Sequence, residues 1–351
     1  VKRVAEAQDR ERLRVAVFGV GHLGTFHARI LAARADVELA AVIDVSEERA
    51  HKLAAELKCP ARVLSGETAE DVARALPEGV RAVVIAAPTV FHARLAVPLL
   101  ERGVACLVEK PLADSLDSAH AILAAAERGR ALLTVGHVER FQPGFRKLRE
   151  LGFRPRFIEC HRLAPFSYRS TDIGVVHDLM IHDLDLVLDQ VGSDVASFDA
   201  AGGAILTERE DIASVRLIFE NGARANVTAS RASLSPMRRF RMFSSEAYVS
   251  LDMHKNYGLI VRKGPNWDGG RASLRNLSAE QIAARTDLVT SGMLELVELD
   301  LSGLDRPLQA ESEAFIDCVR HGREPAVSGR DGYRALELAE RISKEIAAQA
   351  W

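Results

Sequence analysis

Cysteine is scarce in this chain: four residues among 351 (Cys59, Cys106, Cys160 and Cys318), with no CxxC pair. That scarcity excludes a disulfide framework and a cysteine-rich zinc site, and it suits a reducing cytoplasm. An excess of charge of one sign is also missing. The formal net charge is −3 and the pI about 6.5, which leaves no electrostatic case for nucleic acid or an anionic membrane surface as partner. No apolar run reaches the ~18 residues of a membrane-crossing helix, and the first residues hold no secretory apolar core. Internal repeats and low-complexity segments are absent as well. What is present is ordinary globular composition, 48% hydrophobic and 27% charged, over a length that points to about two domains.

The most informative segment is Gly19-Val20-Gly21-His22-Leu23-Gly24. Three clustered glycines alone are weak evidence; their context carries the weight. Leu13 to Phe18 reads as a short buried strand, Leu23 to Ala35 has helical composition, and Val37 to Ile43 reads as a second strand ending at Asp44. In such a βαβ unit the glycines let backbone N–H groups approach a pyrophosphate at a helix N-terminus, and the acidic residue accepts bonds from ribose hydroxyls. Asp44 therefore favours NAD over NADP, since Val45 and Ser46 bring no cation to offset its charge. The competing reading is a tight strand-to-helix turn with no ligand.

Strands expected at 13–18, 37–43, 81–87, 104–108 and 131–135 alternate with helices near 23–35, 46–57, 68–76, 92–102 and 115–129, which argues for a doubly wound parallel sheet. Beyond about residue 140 the pattern changes. One helix is expected over 174–191, then strands at 212–219, 223–230, 238–244, 247–253 and 258–262, with a hairpin turn at Glu220-Asn221-Gly222. This half reads as an α+β unit with a large, mostly antiparallel open sheet. Its second face needs cover, and a partner subunit supplies it economically. Residues 1–12 read as a loose arm, 264–292 as a partly ordered loop, and two helices, near 308–321 and 331–349, close the chain.

Four further motifs carry chemistry. Ala86-Ala87-Pro88-Thr89, with His92 following, lies at a strand end, where doubly wound sheets place ligands; Thr89 is equally suited to capping the helix that starts near His92. Glu109-Lys110-Pro111 leaves the next strand, so that Lys110 can hold a substrate hydroxyl and stabilise an alkoxide. His137, in Gly136-His137-Val138-Glu139-Arg140-Phe141-Gln142-Pro143, falls on the cofactor side of the crossing between domains. Asp178, His182 and Asp185 stand at i, i+4 and i+7, one face of a helix, where a carboxylate one turn away fixes the tautomer of a histidine and raises its basicity. The trio also matches metal ligands or a solvated polar face; the reading adopted needs no metal.

Together, and in this order, these motifs resemble the glucose–fructose oxidoreductase / inositol dehydrogenase / MocA family over about residues 13–345. The resemblance implies an NAD-binding Rossmann domain (1–140) and a substrate-binding and oligomerisation domain (141–351), with C-terminal helices able to pack back on the first. It implies a sugar CH–OH dehydrogenase acting as a homodimer or homotetramer, and the scarce cysteines place it in the cytoplasm. Lys110 matches the family's EKP lysine, and Asp178 and His182 its Asp-x-x-x-His pair. Cofactor contacts then fall on Gly19, Gly21, His22, Leu23, Gly24, Asp44, Ala87, Pro88, Thr89, His92, Glu109 and His137. Many members carry a glycine-rich segment before the catalytic helix. Here Ser170-Thr171-Asp172-Ile173-Gly174-Val175-Val176 stands in its place, which looks like the branch oxidising C3 of UDP-N-acetylglucosamine. For such a substrate Tyr168 can stack on a base or sugar, and Arg162, Arg169, Arg231, Arg238 and Arg239 are candidates for the diphosphate; Asp185 joins Tyr168 and Arg169 as a substrate contact. A dehydrogenase of glucose or myo-inositol, or a dinucleotide-binding sensor without turnover, remain alternatives. The sensor is disfavoured because it needs neither Lys110, Asp178 nor His182. The His and Lys roles are exchangeable at this level.

Overall fold

The computed structural model describes residues 12–66, 68–167, 173–267, 292–302, 304 and 306–349. Tyr168 and Arg169, residues 1–11 of the arm and 268–291 of the expected loop lie outside them. The chain divides into two compact units: one takes the chain up to Phe141 together with Arg306–Glu337, the other Gln142–Asp305 together with Leu338–Trp351.

The first unit runs β1 (Leu13–Phe18), α1 (His22–Ala32), β2 (Val37–Asp44), α2 (Glu47–Leu57), β3 (Ala61–Val63), α3 (Ala69–Ala75), β4 (Ala82–Ile85), α4 (His92–Glu101), β5 (Ala105–Glu109), α5 (Leu116–Gly129) and β6 (Leu133–Gly136). Its strands form one sheet in the order β3-β2-β1-β4-β5-β6, every pair parallel. Period-two alternation builds a core on each face: Ala16 and Phe18 of β1 point into one, Val15 and Val17 into the other. Being buried on both sides is what makes these strands continuous apolar runs rather than alternating ones. The C-terminal α8 (Pro307–His321) adds Phe315 and Ile316 to the second core. β3 was not anticipated; it is a three-residue edge strand. Thr89 does not cap the helix at 92. It opens a short 3-10 turn, Thr89–Phe91, without a side-chain cap.

The second unit contains α6 (Pro143–Leu151), β7 (Phe157–Leu163), α7 (Ile181–Val191), β8 (Val195–Gly203), β9 (Ile212–Phe219), β10 (Arg224–Ser230), β11 (Met237–Phe243), β12 (Ala247–Asp252), β13 (Tyr257–Lys263), β14 (Leu294–Glu298) and the C-terminal part of α9 (Gly329–Ala347). The eight strands lie in the order β14-β13-β12-β11-β7-β10-β9-β8. Only β7 and β10 pair in parallel; the other neighbours are antiparallel. The β9–β10 turn is the expected hairpin, with Gly222 at φ +81°. In β9, Ala213, Val215, Leu217 and Phe219 are buried while Ser214 and Arg216 are exposed, which is the pattern of a sheet packed on one face. Residues 174–191 are not one α-helix. A π-helical turn, Val176–Met180, precedes α7.

Candidate active site

At the C-terminal end of β1, Gly19 takes φ +81°, and a Cβ there would stand 2.7 Å from the carbonyl of Ala86 at the end of β4. A Cβ on Gly24 would meet the Gly19 carbonyl oxygen at 1.8 Å. Loop, helix and neighbouring strand thus meet backbone to backbone, and only glycine fits. A Cβ on Gly21, by contrast, meets nothing within 4 Å: it faces open space in front of the α1 N-terminus, where a pyrophosphate can approach the amides. His22 and Leu23 are exposed beside it.

Asp44, at the end of β2, is 6% exposed. Its Oδ2 accepts the Val20 amide at 2.8 Å, and its Oδ1 accepts the Ser46 amide at 2.8 Å and Arg49 Nη2 at 2.9 Å. Burial pushes this acid upward, but the Ser46 amide, Arg49 and the Val20 amide outweigh it and hold the group below the usual carboxylate range. Arg49 corrects the expectation that no cation offsets Asp44. It lies within the first turn of α2, and it softens the repulsion of a 2′-phosphate that sequence assigned to Asp44 alone. A cavity of about 400 Å³ opens here, lined among others by Gly19, Asp44, Arg49, Ala87, Pro88 and Phe91. These residues fit a dinucleotide: an open glycine turn, a carboxylate held ionised at the end of β2 and a cleft beside both.

His92 joins two of the motifs. Its ring is 1% exposed, with Nε2 2.9 Å from the Ala87 carbonyl and Nδ1 3.0 Å from the Pro111 carbonyl. It therefore ties the β4 end to the turn that carries Lys110, and burial holds its pKa below the usual histidine value. Lys110 is half-buried, the Lys110–Pro111 peptide is cis, and Glu109 Oε2 accepts the Lys110 amide at 3.3 Å. His137, at the end of β6, is fully buried.

In the second unit Asp178 lies within the π turn, half-buried, and His182 in the first turn of α7, also half-buried. Asp185 is 0% exposed. The wider turn changes the angular relation that a continuous α-helix would give Asp178 and His182, and such single π turns recur at functional sites. Asp183, next to His182, is gripped by Arg162 of β7: Nε to Oδ2 and Nη2 to Oδ1, each at 2.8 Å. His177, outside the expected trio, pairs instead with Glu340 at 3.2 Å.

Two arginines considered for a diphosphate are committed elsewhere. Arg162 is 6% exposed and engaged with Asp183. Arg231 is 4% exposed, 2.8 Å from Asp211, and donates to the Ile173 carbonyl at 2.8 Å. Asp211 also accepts the amides of Ile205, Leu206 and Thr207. Burial works against its ionisation, but those amides and Arg231 hold it far below the usual carboxylate range. Arg231 thus fixes the loop that enters the π turn. Arg239 stays exposed on β11, 3.7 Å from Asp252.

Comparison with known proteins decides the family. Residues 13–137 match "Oxidoreductase family, NAD-binding Rossmann fold" and residues 150–250 match "GFO/IDH/MocA C-terminal domain". A curated UDP-N-acetylglucosamine 3-dehydrogenase from Acidithiobacillus ferrooxidans is 36% identical over 96% of this chain and 98% of its own. The chain belongs to the GFO/IDH/MocA oxidoreductase family. A solved structure of that Acidithiobacillus enzyme superposes with a TM-score of 0.80 at 34% identity, covering 96% of this chain and 98% of the other. An inositol 2-dehydrogenase from Rhizobium meliloti is 26% identical over 95% of this chain and 97% of its own. In this oxidoreductase the first unit is the NAD-binding one and NAD is the cofactor. Sequence reasoning overlooked Arg49, Phe91 and Arg94 at the cavity; Arg49 was legible as the only cation within a turn of Asp44 on the following helix.

Proposed function

We propose that this oxidoreductase oxidises the C3 hydroxyl of UDP-N-acetylglucosamine to a ketone. The observation carrying this reading is the 36% identity, over nearly both full lengths, to the Acidithiobacillus UDP-N-acetylglucosamine 3-dehydrogenase, against 26% to the Rhizobium inositol 2-dehydrogenase. When bound, NAD⁺ supplies the hydride acceptor. Around it the chain's own residues manage the proton: His182 takes it from the hydroxyl, Asp178 orients and charges up the imidazole, and the Lys110 ammonium stabilises the oxygen as it becomes an alkoxide. Glycine-loop amides and Asp44 hold the dinucleotide. Tyr168 and Arg169, with Arg238 and Arg239, remain the candidates for the nucleotide-sugar. Following NADH absorbance with UDP-N-acetylglucosamine, myo-inositol and glucose tests the reading: the nucleotide-sugar is expected to give the highest kcat/KM, and faster turnover of myo-inositol would place the enzyme with the cyclitol dehydrogenases.

The proposal extends to a homodimer or homotetramer acting in the cytoplasm. The alternating outward positions of β9 and β10, among them Ser214 and Thr228 hydrogen-bonded across the strands at 3.0 Å, form a surface a second copy can cover. Sedimentation at micromolar concentration is expected to return at least twice the 38.3 kDa chain mass; a monomer refutes this part.

A further inference from the structure

Behind the lysine turn lies a polar cluster that the proposed chemistry does not use. His27 projects from α1, Glu109 from the end of β5, and Glu311 and Ser312 from α8. Their exposures are 0%, 7%, 3% and 0%. His27 Nε2 stands 2.8 Å from Glu109 Oε1 and its Nδ1 stands 3.3 Å from Ser312 Oγ. The other Glu109 oxygen accepts the Lys110 amide. One ligand atom each of His27, Glu109 and Glu311 lie within 4.8 Å of one another. Both Glu311 oxygens are buried with no hydrogen-bond partner among the described residues.

Two buried carboxylates this close, one of them without a donor, cannot both stay ionised; the charge must be cancelled by a cation or by protons. The distances favour protons. Two ligands of a tetrahedral ion at ~2.1 Å stand ~3.4 Å apart, whereas 2.8 Å between His27 and Glu109 is ordinary N–H···O length. Between the carboxyls, Glu109 is the one with donors in reach, His27 Nε2 at 2.8 Å and the Lys110 amide at 3.3 Å. Glu311 has no donor, so the proton belongs there. Burial first, and the Glu109 charge second, act in the same direction, holding the Glu311 acid well above the usual carboxylate range.

We propose that Glu311 is a positioning residue for Lys110: a neutral carboxylic acid that keeps Glu109 as the only anion of the pocket, so that Glu109 can anchor the turn presenting the lysine. This rests on the catalytic reading of Lys110. A second charge at 311 would repel the Glu109 carboxylate from the Lys110 amide, and an empty site at 311 would let it swing away.

The test uses the full chain as Glu311→Gln, Glu311→Ala and Lys110→Met variants. The infrared difference between wild type and Glu311→Gln at neutral pH is expected to show a protonated carboxyl band in the wild type. Glu311→Gln, neutral and of the same shape, keeps wild-type kcat. Glu311→Ala lowers kcat by about tenfold, short of the ~10²-fold that a 1 Å misplacement can cost, with NAD affinity unchanged by fluorescence titration. A missing carboxyl band, a metal ion bound at one per chain, or a Glu311→Gln enzyme as impaired as Glu311→Ala overturns the proposal. So does full turnover in Lys110→Met, which removes its premise; that result leaves the carboxyl band in place, so the two failures are told apart.

Discussion

Replacing His182 by alanine is expected to lower kcat by ~10²–10⁴-fold, the range that a positioned proton acceptor contributes. NAD affinity should stay near wild type, because the glycine turn and Asp44 belong to the first unit and His182 to the second. A kcat loss without loss of cofactor binding marks an interaction made in the transition state. Asp178→Asn keeps the side-chain shape and removes the charge that favours imidazolium, so its cost should be smaller. The measurement is steady-state kinetics with the best substrate, beside a fluorescence titration with NADH. A His182→Ala enzyme that keeps full turnover would sink the assignment.

The other large effect is expected on stability. Arg162→Met should destabilise the second unit by about 3–5 kcal/mol, the usual result of removing one partner of a buried ion pair and stranding the other. Here Asp183 would be stranded at 1% exposure, its two charge-assisted bonds gone. Because Asp183 adjoins His182, the surviving folded fraction should also show a reduced kcat, while KM for a nucleotide-sugar should change little, since the guanidinium is committed within the fold. Urea unfolding followed by circular dichroism reads the first effect. An unchanged midpoint with a raised KM would instead return Arg162 to the diphosphate, as the sequence alone allowed.

That arginine shows where sequence stopped being informative. Phe157-Ile158-Glu159-Cys160-His161-Arg162-Leu163 did not read as a strand because charged and polar residues occupy both faces. It is nevertheless a central strand of the sheet, with Ile158, Cys160 and Arg162 turned inward. Arg162 is tolerable there because Asp183, 21 residues along the chain, meets it. β8 and β14 were overlooked for a related reason: Asp199 on one, and Glu295 and Glu298 on the other, break the apolar alternation, and both strands lie at sheet edges where one side needs no partner. The parallel strands β1, β2, β4, β5 and β6 were easier, because burial on both faces writes an unbroken apolar run into the sequence.

What the sequence determined by itself is the family, through a set of motifs and their order along the chain. The glycine turn follows an apolar run, a carboxylate closes the second strand, and the EKP and Asp-x-x-x-His motifs follow at spacings that name the family. All of these are short-range or period-based signals. Tertiary structure alone decided which charges are spent. Arg49 on Asp44, Arg162 on Asp183, Arg231 on Asp211 and the unpaired Glu311 behind Glu109 are pairings, or failures of pairing, across the fold. No local rule distinguishes an arginine that will be buried against a carboxylate from one that will face a substrate. The energy of a charge depends on its surroundings, and those surroundings exist only once distant segments have packed.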